Sequence, residues 1–234
     1  MKQPTSTASP PPPGEEDPEG VEWEERRSGL PHGFLEAIGW SPERKADTEA
    51  FRDLLTRANA HMNLVGPATL EVFWDRHFLD SAQLLWFAPE ARVWADLGAG
   101  AGLPGIVLAI LLKGRSGARV HLVESMAKRC RFLAEVAAVL DLPVEIHNVR
   151  AERLKLKVEM VTARACAPLT KLLGFAKPSM DRGARGLFLK GQDAEAEMAE
   201  AGKVWRFKAQ VIPSLSDPRG RILSLTELAR VHRP

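Results

Sequence analysis

Three glycines at alternate positions, Gly98, Gly100 and Gly102, join an apolar run ending in Asp96 to an apolar run opening at Pro104. Without a Cβ, such a stretch can turn sharply and let a ligand lie directly on the main chain. Proline suits a first helical position, where its missing N–H has no partner to lose. A helix starting there would offer free N–H groups and a partial positive charge. Together these make a floor for an anionic or carboxylate-bearing small molecule at the end of a strand. A second apolar run, Val120-His-Leu-Val-Glu124, ends in another carboxylate 19 residues after Gly105. In that place an acid can accept hydrogen bonds from ribose hydroxyls.

Two frames read these glycines. Gly100-Ala-Gly102-Leu-Pro-Gly105 matches the GxGxxG pattern of dinucleotide sites, which would suit a nicotinamide-dependent oxidoreductase. No proton-transfer constellation accompanies it. The earlier frame, Asp96-Leu-Gly98-Ala-Gly100-Ala-Gly102, is similar to the first motif of S-adenosylmethionine-dependent methyltransferases.

The elements around the glycines alternate. Strands are predicted at 92–96, 118–124, 144–148, 160–163 and 185–190, with helices at 103–112, 127–140, 169–177 and 194–204 between them. Alternation of this kind implies a parallel sheet with helices on both faces. Two final strands, 207–212 and 221–225, are separated only by turn chemistry (Pro213–Gly220), so they should form an antiparallel hairpin at one edge. The expected fold is α/β and Rossmann-like: a mostly parallel sheet of seven strands with an antiparallel edge hairpin. That hairpin favours the methyltransferase frame over the dinucleotide one.

Upstream, residues 28–89 read as a small helical cap, with Phe51, Leu54, Leu55, Ala58 and Met62 at helical spacing. Residues 90–234 would form the catalytic domain. Residues 1–27 hold seven acids and three bases among Pro, Ser, Thr and Gly, and should be a disordered acidic tail. The chain's net charge of +2 therefore splits into −4 in the tail and +6 in the rest, modest support for a polyanionic partner. Apolar runs are too short for a membrane span, and the N-terminus lacks an apolar signal core. Cys130 and Cys166 form no CxxC pair, so neither a disulfide framework nor a zinc site is expected, and no metal is predicted.

Taken in order, the motifs resemble one family: ribosomal RNA small subunit methyltransferase G, also called glucose-inhibited division protein B. They are Asn63-Leu64, His77-Phe-Leu-Asp80-Ser81, Asp96 through Gly105, Glu124-Ser125, Lys128-Arg129, Arg150-Ala151-Glu152, Thr162-Ala-Arg164-Ala165 and Lys190-Gly191. Three departures stand out: Gly-Ala-Gly in the loop, Glu124 where Asp is common, and Glu159-Met160 where Phe-Asp is usual. The resemblance implies a class I methyltransferase that moves a methyl group from S-adenosylmethionine to N7 of a guanine in 16S rRNA. It implies the small ribosomal subunit as partner, the cytoplasm as location, and no obligate protein partner, the chain acting as a monomer. Another RNA, a small molecule, or RNA binding without catalysis remains open on the same scaffold.

By the same resemblance, Gly98, Gly100, Gly102 and Leu103 lie against the cofactor and Asp96 faces its ammonium. Glu124 takes the ribose, Ala151 and Glu152 the adenine, and Arg164 the cofactor or the entering guanine. Asn63, His77 and Asp80 are candidates for the cofactor or guanine side, with helix capping and packing as the alternative. Lys128, Arg129, Arg131, Lys190 and Arg221 could contact phosphates, which position RNA without reading it. Guanine N7 carries a lone pair and no proton, so no residue is assigned as a general base.

Overall fold

Seven strands form one sheet in the order β3-β2-β1-β4-β5-β7-β6, in a computed structural model that describes residues 28–231. The proposed acidic tail at 1–27 lies outside the described residues. The strands are β1 (Val93–Leu97), β2 (Arg119–Val123), β3 (Val144–His147), β4 (Met160–Arg164), β5 (Arg185–Lys190), β6 (Trp205–Pro213) and β7 (Arg221–Arg230). β1 to β5 run parallel, and β7 lies antiparallel between β5 and β6. Between β6 and β7 the turn closes through Gly220 N–H to Asp217 O at 2.8 Å and Ser214 N–H to Gly220 O at 3.2 Å. The parallel sheet and its antiparallel hairpin are as the pattern predicted. Both hairpin strands are longer than expected, because they pair along their whole length, from Pro213 opposite Arg221 to Trp205 opposite Arg230.

The helices are α1 (Phe34–Ile38), α2 (Pro42–Met62), α3 (Asp80–Phe87), α4 (Gly105–Leu112), α5 (Ala127–Val139), α6 (Leu169–Met180) and α7 (Ala194–Gly202). A π-helical stretch, Trp74–Leu79, leads directly into α3. α2 starts with Pro42 in its first turn and the Ser41 hydroxyl accepting from Arg44 N–H at 3.3 Å. It stops at Asn63, whose φ of 51° is the left-handed conformation that ends helices.

Every residue of α4 is buried. A helix apolar all round must be covered all round. β1 and β2 cover one side of it, and α2 and α3 cover the other, so these N-terminal helices lie over α4 within the compact unit Gly33–Pro234. The opposite face of the sheet, through Ala95, Leu97, Val123, Val161 and Ala163, joins the core of α6. α6 was expected to end near Lys177. It continues through Pro178, because Ser179 and Met180 are buried and hold its last turn in place. No helix among the described residues is long and apolar enough to cross a membrane.

From β1 the chain steps outward to β2 and β3, then returns to lay β4 on the other side of β1. Strand order reverses at that point, and open α/β sheets bind ligands just beyond the strand ends there. The glycine loop after β1 and the segment after β4 therefore share one crevice.

α4 was also expected to begin two residues earlier, at Leu103. It begins at Gly105, where a Cβ would stand 2.3 Å from Leu122 Cδ2 and 2.7 Å from Asp96 Oδ2. Gly105→Ala should therefore cost about 1–3 kcal/mol of stability, the usual range for overpacking a tight core. Gly202→Ala, with nothing within 4 Å, should be neutral or mildly stabilising. Denaturant midpoints at constant slope decide this; equal midpoints for the two variants would refute the close-approach account.

Candidate functional site

Asp96 is fully buried at the end of β1. Its Oδ2 accepts the Gly105 N–H at 2.9 Å. Ile106 N–H and Leu108 N–H go to Gly102 O and Pro104 O. The start of α4 is thus capped by a strand carboxylate and by its own loop, which corrects the expectation of a helix end left free for an anion. Asp96 Oδ1, by contrast, is buried with no hydrogen-bond partner. Burial pushes the Asp96 carboxyl up to about 7, against the pull of the Gly105 N–H and the Arg164 charge.

The glycine loop hangs from β2. Gly98 and Ala99 donate their N–H groups to Val123 O at 2.8 and 3.0 Å, and Gly100 donates to Glu124 Oε2 at 3.1 Å. Gly98 has φ 73°, and a Cβ there would meet Cys166 Sγ at 2.6 Å. Its bareness accommodates the segment after β4. A Cβ on Gly100 would meet only Gly98 O, at 3.6 Å, so its Cα side is the open one. Leu103 is buried. Glu124 is also buried; its Oε1 accepts Met126 N–H at 2.7 Å, and Arg129 Nη1 stands 3.7 Å from Oε2. Behind it, Asn148 Nδ2 donates to the carbonyls of Glu124 and Ser125. Ala151 and Glu152 form a short 3₁₀ turn (Ala151–Arg153), with Glu152 exposed and 4.0 Å from Arg150 Nη1.

Across the crevice, a cavity of about 1040 Å³ is lined by Thr69, His77, Asp80, Arg164, Cys166 and Lys190 among others. Cys166 thus faces this cavity and packs on Gly98, and burial pushes its thiol up, so it sits there neutral. Arg164 Nη1 donates to Arg76 O at 3.0 Å and to Asp80 Oδ2 at 3.3 Å, while Nη2 lies 3.2 Å from His77 Nδ1. Burial, then the Arg164 and Arg76 charges, bring His77 down to about 3, so its ring is neutral at ordinary pH. A guanidinium can only donate, which fixes the tautomer. His77 Nδ1 accepts from Arg164, Nε2–H donates to Thr69 Oγ1 at 2.9 Å, and Thr69 donates to Gly66 O at 2.6 Å. Asp80 Oδ1 accepts from Ser216 Oγ at 2.8 Å, and Gln83 links α3 to Ser214 and Leu215.

His77 and Asp80, from one motif, are brought together with Arg164, from another. Asn63 is not: it is an exposed helix C-cap, adjacent in the chain to the lining residue Leu64 but not itself in the lining. Lys190 lines the cavity but is engaged, donating to Ala167 O at 3.1 Å and Glu197 Oε2 at 2.7 Å. Arg221 shapes the hairpin turn through Pro218 O and Gly220 O. Lys128 Nζ reaches His61 O at 3.1 Å, and Arg131 is exposed. The unusual Glu159 accepts the N–H groups of Arg92 and Val93 and so caps the entry to β1. Sequence reasoning missed Thr69, Gln83, Ser214, Ser216 and Asn148, which no local motif marks, because their partners lie on other elements.

A topological switch point with a glycine loop on one flank and a wide cavity on the other defines a class: the Rossmann-like class I methyltransferase fold. Two solved structures share it. One is an S-adenosylmethionine-dependent methyltransferase from Aquifex aeolicus, with TM-score 0.50 at 14% identity, covering 70% of this chain and 100% of that one. The other is magnesium protoporphyrin IX methyltransferase from Synechocystis PCC 6803 with bound S-adenosylmethionine, with TM-score 0.50 at 15% identity, covering 77% of this chain and 97% of that one. Sequence narrows the class. The rRNA small subunit methyltransferase G profile matches residues 44–222. A ribosomal RNA small subunit methyltransferase G from Caulobacter vibrioides is 63% identical over 199 residues, 85% of this chain and 92% of that protein. One from Methylorubrum populi is 51% identical over 180 residues, 76% of this chain and 85% of that protein. The chain belongs to the rRNA small subunit methyltransferase G family.

The Arg164–Asp80 pair leaves 18% and 14% of its side chains exposed, against 72% and 62% for Lys208–Glu227. Double-mutant cycles on thermal or denaturant unfolding should give a coupling of about 1–3 kcal/mol for the first pair and near zero for the second. Equal couplings would contradict a desolvated network at the cavity.

Proposed function

We propose that this protein transfers the methyl group of S-adenosylmethionine to N7 of a guanine in 16S rRNA of the small ribosomal subunit. On this reading it works in the cytoplasm, as a monomer. The observation that carries the cofactor half is the buried, unpartnered Asp96 Oδ1 beside a glycine loop whose open side is at Gly100. These residues fit the group: Asp96 Oδ1 would meet its ammonium and Glu124, with acceptor capacity left, its ribose. On the same reading, Ala151 and Glu152 in the turn Ala151–Arg153 would meet the adenine. The cofactor supplies an electrophilic methyl on a sulfonium. Family membership and the wide cavity across Cys166, with Arg164, Asp80 and His77 in its lining, support a nucleotide base as the acceptor.

The chain's own residues bind and orient. N7 needs no base to prepare it, so acceleration rests on aligning N7, methyl carbon and sulfur and on excluding water. Arg164 is a positive donor at the cavity, held by Asp80 and by neutral His77. Its guanidinium suits a guanine O6 or a flanking phosphate. The direct test is methyl transfer from radiolabelled S-adenosylmethionine to small subunits lacking N7-methylguanine, with the product mapped by N7-specific chain cleavage. One labelled guanine is expected. No transfer, despite tight S-adenosylhomocysteine binding, would retain the cofactor site and reject this substrate.

The pH dependence has a definite sign. Asp96 is raised to about 7 from 3.8, so in the free protein its proton is held more tightly than in the unfolded chain. Its ionisation therefore erodes stability as pH rises from about 4 to about 7. Ligand ammonium favours the ionised form. Affinity for S-adenosylhomocysteine should then fall about tenfold per pH unit below 7, with proton release on binding. Asp96→Asn should weaken binding and flatten this profile. The turnover number should stay level over about pH 6.5–8.5, since neither N7 nor His77 titrates there. Calorimetry in two buffers of different ionisation enthalpy, with a turnover profile, checks both. A tenfold rise in turnover per pH unit would mean that a base acts in the chemical step.

A further inference from the structure

The register of β2 and β3 sets His121 opposite Glu145, and Val123 opposite His147. Alternate residues of a strand share a face, so His121, Glu145 and His147 stand on one face at the β3 edge of the sheet. His121 Nδ1 and His147 Nε2 lie 3.0 Å apart. Glu145 offers each imidazole one oxygen at 3.6 Å, Oε2 towards His121 and Oε1 towards His147. Among the described residues this is the group of three such side chains whose ligand atoms all fall within 4.8 Å of one another. We propose that His121, Glu145 and His147 form a binding site for a divalent transition ion of the zinc class. It pins the edge strand β3 to β2.

The spacings suit an ion. Bonds of about 2.0–2.1 Å to nitrogen and oxygen in a tetrahedron hold neighbouring ligand atoms about 3.3 Å apart. The N–N distance here is a few tenths of an ångström shorter and the N–O distances a few tenths longer, within reach of small side-chain rotations. Two imidazoles with one carboxylate leave a fourth position for water. Nitrogen donors of this kind favour zinc, copper or nickel over magnesium or calcium. Glu145 has 47% of its side chain exposed, which leaves a path for the ion. Arg119 Nη1 stands 3.2 Å from Glu145 Oε2 and competes for it, but that guanidinium is 61% exposed and free to swing into water. Without an ion, one N–H···N hydrogen bond joins the two rings.

The site lies apart from the Arg164 cavity and does not depend on the proposed substrate. It does touch the scaffold of the cofactor side: the His147 carbonyl accepts the Glu124 N–H at 3.1 Å. An ion there stiffens the strand against which Glu124 is held. The test uses full-length, tag-free, metal-stripped protein, with Zn(II) titrated against a chromophoric chelator and Co(II) followed by its visible ligand-field band. One equivalent is expected to bind at about 1 μM or tighter. The melting temperature should rise with Zn(II) concentration. Both effects should weaken at least about tenfold in His147→Gln and in Glu145→Gln. Half-exposed Glu145 keeps the test valid if His147→Gln fails to fold. No stoichiometric binding, or binding by a folded variant equal to that of the unaltered protein, overturns the proposal.

Discussion

The structure hinges on how closely α4 approaches the ends of β1 and β2. A helix with every residue buried can start there only if its first residue has no side chain and its first N–H has a partner. Gly105 satisfies the first condition and Asp96 Oδ2 the second. Their contact fixes where the loop Gly98–Pro104 must run, and hence which main-chain groups face the crevice. Covering the outer side of α4 then requires α2 and α3, and this brings the π-helical stretch with His77 to the crevice rim. Burying a carboxylate disfavours its charge, and the single N–H from Gly105 offsets only part of that penalty. The remaining oxygen is left in want of a cation or a proton.

The other flank solves a similar problem with opposite sign. Arg164 carries a charge at the end of a buried strand, and part of its five-donor guanidinium is met by a carbonyl, a carboxylate and an imidazole. The imidazole must be neutral to accept, and the same burial that desolvates Arg164 keeps it so. Asp80 shares its second oxygen with Ser216, so β4, α3 and the β6–β7 turn meet through one side chain. A breach at any member would leave a desolvated polar group behind, which costs more than the lost bond itself. The cavity is therefore walled by groups held in place before any substrate arrives.

Much of this was legible in the residues. Parallel strands buried on both faces read as continuous apolar runs, so β1, β2, β4 and β5 were found within a residue or two of their ends. Asp96, Glu124 and Arg164 stand at strand ends, where an open sheet places its ligand groups. What escaped was long-range. The free helix end was misjudged because its partner, Asp96, was assigned wholly to the cofactor; local reading cannot see that one oxygen faces inward. Ser214 and Ser216 look like any turn serines until the hairpin folds over Gln83. His121, Glu145 and His147 escaped because a register, not a motif, assembles them.

The two readings of the glycine run were both locally sound. Gly105, the third glycine of the GxGxxG frame, has the packing task that a dinucleotide site gives that position, bringing helix and strand together. Gly100 turns left-handed with its Cα side open, as either frame requires. Nothing within ten residues of the loop separates a hydride-transfer enzyme from a methyl-transfer enzyme. The separation comes from the far edge, where β7 enters between β5 and β6 and runs antiparallel to both. That insertion sends the β6–β7 turn back over α3, where Ser216 and Asp217 meet Asp80 and Arg76 and close the cavity beside Arg164. The edge hairpin is therefore the element that distinguishes the fold class, and it also builds a wall of the cavity beside Arg164. The glycine loop is common to many chemistries, and the wall facing it is what selects among them.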